Sequence, residues 1–371
     1  MKKLTNIITI TLFCALLITF GAGAILLPDT EISTSERLYL TQFPELTWET
    51  VTNGAFMQNI EKYLPDQFPL REEFRSLKAT FEKLTLRLDS SDIYEYDGHL
   101  AALDYKLKEN LVEKAASKLN KVKDSLLTEG HTAYLAIIPP KNYYIAQEND
   151  RHPVMDYEYL QQMMWDSCPD FTHINLYDTL TLDDYYKTDS HWRQERLDKV
   201  VGRLTEAMKV PHGGLTSYTQ NCSDPLEQFQ GVYVGQSALP VEPETLYYLT
   251  TDAIRDAKVT YTAADIEENT VYTESKIEGV DMYDIFLGGA VPLVEIVNDH
   301  ASTDKELVIF RDSYGSSLAP LLIESYSKIT LVDLRYIDFT FLPQFLDASD
   351  ADLLFLYSTG ILNDSEMLKV R

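Results

Sequence analysis

The 371-residue sequence is poor in cysteine and in positive charge, and both shortages exclude classes of function. Its three cysteines cannot build a disulfide framework, and Cys14 lies in an apolar run, which leaves only Cys168 and Cys222 as a candidate pair. The 32 lysines and arginines face 58 aspartates and glutamates, a net charge of -26. Without a basic stripe to neutralise phosphates, the chain is not expected to bind nucleic acid, and its acidity disfavours tight binding to an anionic membrane surface.

The sequence also lacks the residue spacings of several common sites. No Cys/His cluster has metal-ligand spacing and no glycine-rich loop suits a phosphate, so we expect neither a metal nor another cofactor. The Gly-x-Ser-x-Gly motif is missing too, since Arg311 occupies the first glycine position before Ser313. Hydrophobic residues nevertheless make up 45% of the chain, which is enough for a large core and excludes a disordered protein.

The N-terminus carries lysines at positions 2 and 3, followed by an uncharged run at 7–27. This run is about long enough to span a bilayer, which favours a retained signal anchor over residues 1–27. The Ala-Gly-Ala at 22–24 resembles a signal-peptidase site, so a cleaved signal peptide remains the alternative. In both cases the lysines stay inside, and we expect an extracytoplasmic protein, anchored in the cell membrane or secreted. Residues 28–50 are interpreted as a polar linker.

Beyond the linker, apolar runs typical of buried strands alternate with helical patterns. We expect strands at 134–138, 174–176, 307–310, 329–334 and 353–357, and helices at about 107–128, 154–166 and 340–348. This alternation indicates an α/β domain with three α/β/α layers and a mostly parallel sheet, placed at 51–371. The stretch at about 210–282 lacks helical periodicity, and its glycines and short alternating runs predict a β-rich insertion.

A candidate nucleophile, Ser313, follows the apolar run at 307–310 at the point where helical spacing begins. It would stand at the carboxyl end of a strand, and the N–H groups of the following helix are expected to stabilise an oxyanion there. A serine at such a turn is, however, more often a turn or cap residue.

The candidate base lies far upstream, in an Asp-x-His sequence formed by Asp189 and His191. Two residues apart, these side chains can point the same way in an extended turn before a helix. Asp189 or Ser190 is also expected to cap the helix that follows, the commoner role for such residues. The hypothesis is a triad in which Ser313 attacks, His191 is the base and Asp189 fixes the imidazole.

These motifs and several others resemble the DHHW family of surface proteins. The family's Asp-His-His-Trp signature appears as Asp189-Ser190-His191-Trp192, and the further matches are the segments 61–71, 138–143, 283–289, 311–314 and 333–336. That family is similar to the SGNH-like alginate O-acetylation proteins, in which an Asp-x-His precedes the catalytic serine, a permuted order. The resemblance implies an SGNH-hydrolase-like fold and assigns catalysis to Asp189, His191 and Ser313. The sequence departs from the signature at Ser190 and at Arg311, where histidine and lysine are usual.

Four more residues are candidates for contacting substrate. Arg335 is expected to bind an acyl or sugar oxygen, or else to pair with a neighbouring aspartate. Trp192 is a candidate to stack on a sugar ring, although packing is the commoner role behind a helix cap. Lys141, after a predicted strand end, and Tyr314, beside the serine, complete the set.

Two classes of function stay open. The first is a serine-dependent O-acetyltransferase or acetylesterase that acts on a cell-surface or secreted polysaccharide, with a membrane-bound acyltransferase as candidate partner. The second is a noncatalytic glycan-binding or assembly protein on the same scaffold, because one fold hosts many functions. Turnover of an acetyl ester, compared with Ser313→Ala, separates the two.

Overall fold

The structure is a computed structural model that describes part of the chain in two compact units. The described residues are 2–33, 35–86, 89, 91–262, 264 and 266–371. The smaller unit comprises residues 1–92 with 234–241, and the larger comprises 93–233 with 242–371.

The first 92 residues are largely helical. Their elements, in chain order, are α1 (Lys2–Leu26), β1 (Ile32–Ser33), β2 (Leu38–Tyr39), α2 (Trp48–Thr52), α3 (Ala55–Asp66), α4 (Arg71–Phe81) and a π-helical turn (Glu82–Leu86). Among the described residues, α1 is the one helix long and apolar enough to cross a membrane, over Lys3–Leu26. Thr47 and Thr50 form a capping box at the start of α2.

The remaining elements come mostly from the larger unit. In chain order they are β3 (Ile93–Tyr96), β4 (His99–Ala102), α5 (Glu109–Leu126), β5 (Ala133–Ile138), α6 (Lys141–Glu148), α7 (Tyr157–Ser167), β6 (Thr172–Ile174), α8 (Asp198–Met208), β7 (Thr219–Asn221), α9 (Val232–Ser237), β8 (Tyr248–Thr250), α10 (Asp252–Asp256), β9 (Lys258–Thr262), β10 (Leu293–Val297), β11 (Glu306–Arg311), α11 (Tyr314–Leu318), β12 (Lys328–Val332), β13 (Ala351–Ser358) and α12 (Thr359–Asn363). Short 3₁₀ turns join many of them, among them Gln194–Arg196, Met282–Ile285, Ala319–Ser325 and Phe339–Gln344.

A seven-stranded sheet in the order β6-β5-β13-β11-β12-β10-β9 organises the larger unit. The pairs from β6 to β12 are parallel, whereas β10 and β9 add to one side in antiparallel fashion. The predicted mostly parallel sheet is confirmed. In parallel strands the carboxyl ends share one edge, so the chain after β5, β11, β12 and β13 emerges together.

Both faces of the sheet are covered. Along β11, Leu307 and Ile309 belong to one apolar cluster, whereas Val308 and Phe310 belong to another. Alternate side chains of a strand point to opposite faces, so helices such as α8 cover one side, and α5 and α7 the other. The predicted three-layer α/β/α fold is therefore confirmed.

Two local predictions were wrong. The helix after His191 begins only at Asp198, with Leu197 at its cap position, so neither Asp189 nor Ser190 caps it. The expected helix at 340–348 is a 3₁₀ helix over Phe339–Gln344, in which Pro343 cannot donate the backbone hydrogen bond that an α-helix needs. All three cysteines, each within the described residues, are free thiols.

Candidate active site

Ser313 occupies the sharp turn between β11 and α11. Its φ of -60° and ψ of -26° are already helical, so the chain passes from strand to helix within two residues. The turn closes tightly on the strand: a Cβ atom at Gly315 would lie 2.6 Å from Arg311 Cβ. Only glycine permits that approach, and it keeps Ser313 at the sheet's carboxyl edge.

The three residues of the proposed triad are joined by hydrogen bonds. His191 Nε2 lies 2.7 Å from Ser313 Oγ, and His191 Nδ1 lies 2.6 Å from Asp189 Oδ1. His191 is 9% exposed and Asp189 is fully buried, so solvent does little to screen the carboxylate. With Nδ1 protonated and donating to Asp189, Nε2 is free to accept the serine proton.

Asp189 is held by the first residue of α9 and by the glycine before it. The Val232 N–H donates to Asp189 Oδ2 at 2.8 Å, and a Cβ atom at Gly231 would lie 2.3 Å from Asp189 Cβ. Glu244 accepts hydrogen bonds from the N–H groups of Lys187 and Thr188 at 2.9 and 2.7 Å. Residues within 210–282 therefore give Asp189 one backbone donor and close packing, and they hold the two residues that precede it.

Tyr283, in the 3₁₀ turn Met282–Ile285, lies flat against the imidazole. The ring centroids of Tyr283 and His191 are 4.0 Å apart and the planes differ by 14°. The Tyr283 hydroxyl donates to Ser317 Oγ at 2.8 Å, and the same oxygen accepts from Trp192 Nε1 at 2.9 Å. Burial raises the pKa of Tyr283 well above its ordinary value, so the hydroxyl stays a donor. Sequence reasoning missed this residue.

A cleft of about 450 Å³ opens beside Ser313 at the carboxyl edge of the sheet. Four predicted residues line it, namely Ser313, Tyr314, Lys141 and Arg335. Trp192 is instead fully buried, edge-on to the Tyr314 ring at 5.3 Å, so it packs rather than faces substrate. The Tyr314 hydroxyl donates to the Ser190 carbonyl at 2.7 Å, which ties the serine turn to the Asp-x-His segment.

Lys141 lines the cleft, but backbone carbonyls hold its ammonium group. Its Nζ donates to the carbonyls of Leu100 and Tyr186, both at 2.7 Å, and lies 3.4 Å from that of Lys187. Burial lowers the pKa of Lys141 to about 7, although Asp189 and, more weakly, Glu244 favour the charged form. The ammonium therefore anchors the chain that leads into Asp189, and it also lies 5.3 Å from the centroid of the Tyr233 ring.

Arg335 is paired, yet it remains at the cleft. Its Nε and Nη2 donate to Asp333 Oδ1 and Oδ2 at 2.9 and 2.7 Å, while 14% of its side chain stays exposed. Asp333 also accepts from Arg311 at 3.3 Å, so two guanidinium groups share one buried carboxylate. The ion pair that the sequence offered as an alternative is present, and it orients Arg335 along the cleft wall.

The expected oxyanion donors after Ser313 are already occupied. The Tyr314 N–H donates to Asp312 Oδ1, the Gly315 N–H to the Asp312 carbonyl and the Ser316 N–H to the Ser313 carbonyl, all at 3.1 Å. Asp312 Oδ2 in turn accepts from the Ser358 N–H at 2.8 Å. These bonds rigidify the serine turn. The first turn of α11 therefore does not supply the oxyanion donors that the sequence suggested.

Comparison with known proteins places the fold. No protein-family model matches the sequence, and no curated protein is significantly similar to it. A DHHW family protein from Eubacterium siraeum has a similar structure, with 20% identity, a TM-score of 0.63, and coverage of 76% of this chain and 96% of that one. PatB1 of Bacillus cereus with a sulfonyl adduct is also similar, with 19% identity, a TM-score of 0.58, and coverage of 73% and 97%. At these identities the likeness is one of fold, and it agrees with the expected relationship.

Proposed function

We propose that this chain is an extracytoplasmic serine-dependent O-acetyltransferase or acetylesterase that acts on a cell-surface or secreted polysaccharide. The observation that carries the proposal is the continuous hydrogen-bonded chain from Asp189 through His191 to Ser313. A buried carboxylate, an oriented imidazole and a hydroxyl at an open cleft are the parts that covalent acyl transfer requires.

The reaction follows from this geometry. Ser313 Oγ attacks the acetyl carbonyl while His191 Nε2 takes its proton, and Asp189 stabilises the imidazolium that forms. The carbon–oxygen bond of the donor then breaks, and the leaving oxygen takes the proton from His191. A sugar hydroxyl or water attacks the acetyl-Ser313 ester, gives its proton to His191 and releases the serine.

The cleft lining suits a hydroxyl-rich acceptor. Charged side chains of both signs, Asp104, Lys108, Asp312, Arg335 and Asp364, share its walls. Such walls offer donors and acceptors to sugar hydroxyls but no net positive field for a polyanion. The apolar helix α1 supports anchoring in the cell membrane, where a membrane-bound acyltransferase is the proposed source of acetyl groups.

A chromogenic acetyl ester tests the proposal on the full chain in detergent. We expect turnover by the wild type, loss of several orders of magnitude in Ser313→Ala and His191→Ala, and a double variant hardly worse than either single one. Ser217→Ala, which removes an exposed hydroxyl, is the matched control. Adding a soluble oligosaccharide distinguishes transfer, which yields acetylated sugar, from hydrolysis, which yields acetate alone.

Covalent labelling gives an independent readout. Because sulfonyl groups react with activated hydroxyls, a sulfonyl fluoride should modify Ser313, and His191→Ala should slow the modification. The adduct in PatB1 is a property of that protein and motivates the probe. Unchanged turnover in Ser313→Ala together with no labelled Ser313 would mean that another residue is the nucleophile. Absence of turnover by the wild type would leave a noncatalytic glycan-binding or assembly role.

A further inference from the structure

Helix α4 turns its two arginines inward. Arg75 Nη2 lies 3.0 Å from Glu36 Oε1, and Arg71 pairs with the same carboxylate. Glu72 accepts from Ser35 Oγ at 2.9 Å and from Arg75 Nη1 at 3.0 Å. The exposed fractions of the Arg71, Arg75 and Glu36 side chains are only 19%, 24% and 16%. The inner face of this helix is therefore held by ion pairs.

Its outer face is apolar. Leu70 stands at the N-cap position, and Phe74, Leu77 and Phe81 follow at helical spacings of three and four residues, so these three lie on one side of the helix. The exposed fractions of all four are 58%, 44%, 64% and 57%. We call these four residues the outer stripe. A helix in water normally buries such a face, whereas here the face that carries Arg71 and Arg75 is the more buried one.

The outer stripe is continuous with α1. The rings of Phe20 and Phe68 stack with centroids 5.2 Å apart, and Phe20 lies 5.5 Å from Phe74. A Cβ atom at Gly23 would lie 3.0 Å from Pro69 Cγ, so the two segments approach closely. Phe20 stands about 9 Å before the end of the span at Leu26, at the helical rise per residue. If α1 crosses a bilayer, Phe74 therefore lies near the outer boundary of the hydrocarbon region.

We propose that the outer stripe inserts into the outer leaflet of the membrane in which α1 is anchored, at the level where headgroups meet acyl chains. The inference rests on the anchoring included in the proposed function. An apolar face at that depth gains by leaving water, and Lys78 beside it, with 76% of its side chain exposed, can extend its ammonium to the headgroups. The acidic chain favours a zwitterionic surface over an anionic one.

Photolabelling tests this on the full chain in phosphatidylcholine nanodiscs that contain a lipid with a diazirine in its acyl tail. After irradiation, peptide mass spectrometry should find lipid adducts in α1 and in the peptide that carries the outer stripe. In Leu77→Glu with Phe81→Glu, adducts on the stripe should fall by about tenfold or more, because a charge near the acyl chains is costly, while those on α1 persist. Tyr159→Glu, a change at a 47% exposed aromatic residue of α7, should alter neither.

The outcomes separate this inference from the anchor itself. Adducts in α1 with none on the wild-type stripe would overturn the inference and leave the anchor standing. Adducts in neither segment would overturn both. A third outcome is that the stripe forms protein–protein crosslinks in place of lipid adducts, and only in discs that hold several copies of the chain. This would mean that a second copy covers the stripe, and it would overturn the inference. Retained acetyl-ester turnover or hydrogen-exchange protection of α4 shows that the variant is folded.

Discussion

Replacing Asp189 by asparagine should reduce catalysis by setting the wrong imidazole tautomer. Asp189 accepts three hydrogen bonds from nitrogen donors: His191 Nδ1 at 2.6 Å, the His191 N–H at 3.1 Å and the Val232 N–H at 2.8 Å. Asparagine offers one acceptor and one donor in the same space. Each orientation of its amide therefore directs an N–H group against another donor.

The two orientations fail for different reasons. With the amide nitrogen toward His191, the ring must keep its proton on Nε2, which then cannot accept the proton of Ser313. With the nitrogen toward Val232, a buried N–H loses its acceptor, at a cost of about 1–3 kcal/mol. In both cases the carboxylate charge that stabilises the imidazolium is gone, and burial had left that charge unscreened.

We therefore expect turnover to fall by about 10³- to 10⁴-fold in Asp189→Asn, which corresponds to about 4–5.5 kcal/mol of transition-state stabilisation. The measurement is acetyl-ester turnover at substrate saturation and at several pH values. Asp183→Asn makes the same chemical change at an exposed site and serves as control. A rate within tenfold of the wild type would refute the reasoning, because it would mean that Asp189 does not set the state of His191.

Three further outcomes follow from the same region. Tyr283→Leu should lower kcat by about tenfold with little change in KM, because the ring whose centroid lies 4.0 Å from that of His191 is lost. Tyr283→Phe keeps the ring and should keep most of the rate. Equal losses in the two variants would contradict a stacking role. Gly231→Ala should reduce the free energy of urea unfolding by about 1–3 kcal/mol, because the new Cβ would lie 2.3 Å from Asp189 Cβ. Unchanged stability and activity in this variant would contradict the close contact. Burial lowers the pKa of Lys141 to about 7 from the ordinary lysine value of 10.5. Between these two pH values only the unfolded chain binds the lysine proton. The free energy of unfolding should therefore rise with pH in this window, by up to about 1.4 kcal/mol per pH unit. Urea unfolding at pH 6.5 and 9 should show this rise in the wild type and not in Lys141→Met, and parallel pH dependences would disprove it.

The sequence predicted the elements that rest on local patterns. Unbroken apolar runs located β11 and β13 within a few residues, and the break at Ser313 located the turn. Asp189 and His191 were paired by their spacing and by resemblance, and the structure brings both to Ser313. Such features depend on a few adjacent residues, so they can be predicted from a single sequence.

Features that depend on distant chain segments were harder to predict. The ring of Tyr283 reaches His191 from a stretch with no helical or strand period, and the only available signal was its place in a family motif. Position after a strand suggested that Lys141 faces substrate, but three backbone carbonyls draw its ammonium inward. The prediction that Asp189 caps the next helix was wrong because an irregular segment and a 3₁₀ turn separate this residue from α8.

The order of strands in the sheet bears on how the chain folds. Among the described residues, β13 is the last strand, yet it lies between β5 and β11, and through it β5 and β6 join the other strands of the sheet. While the chain is made from the N-terminus onward, β5 can pair with β6, but its other edge stays unpaired until residues 351–358 arrive. Deletion of these residues would divide the sheet in two, and the interval before they are made is the stage at which the exposed edge of β5 is open to wrong pairing.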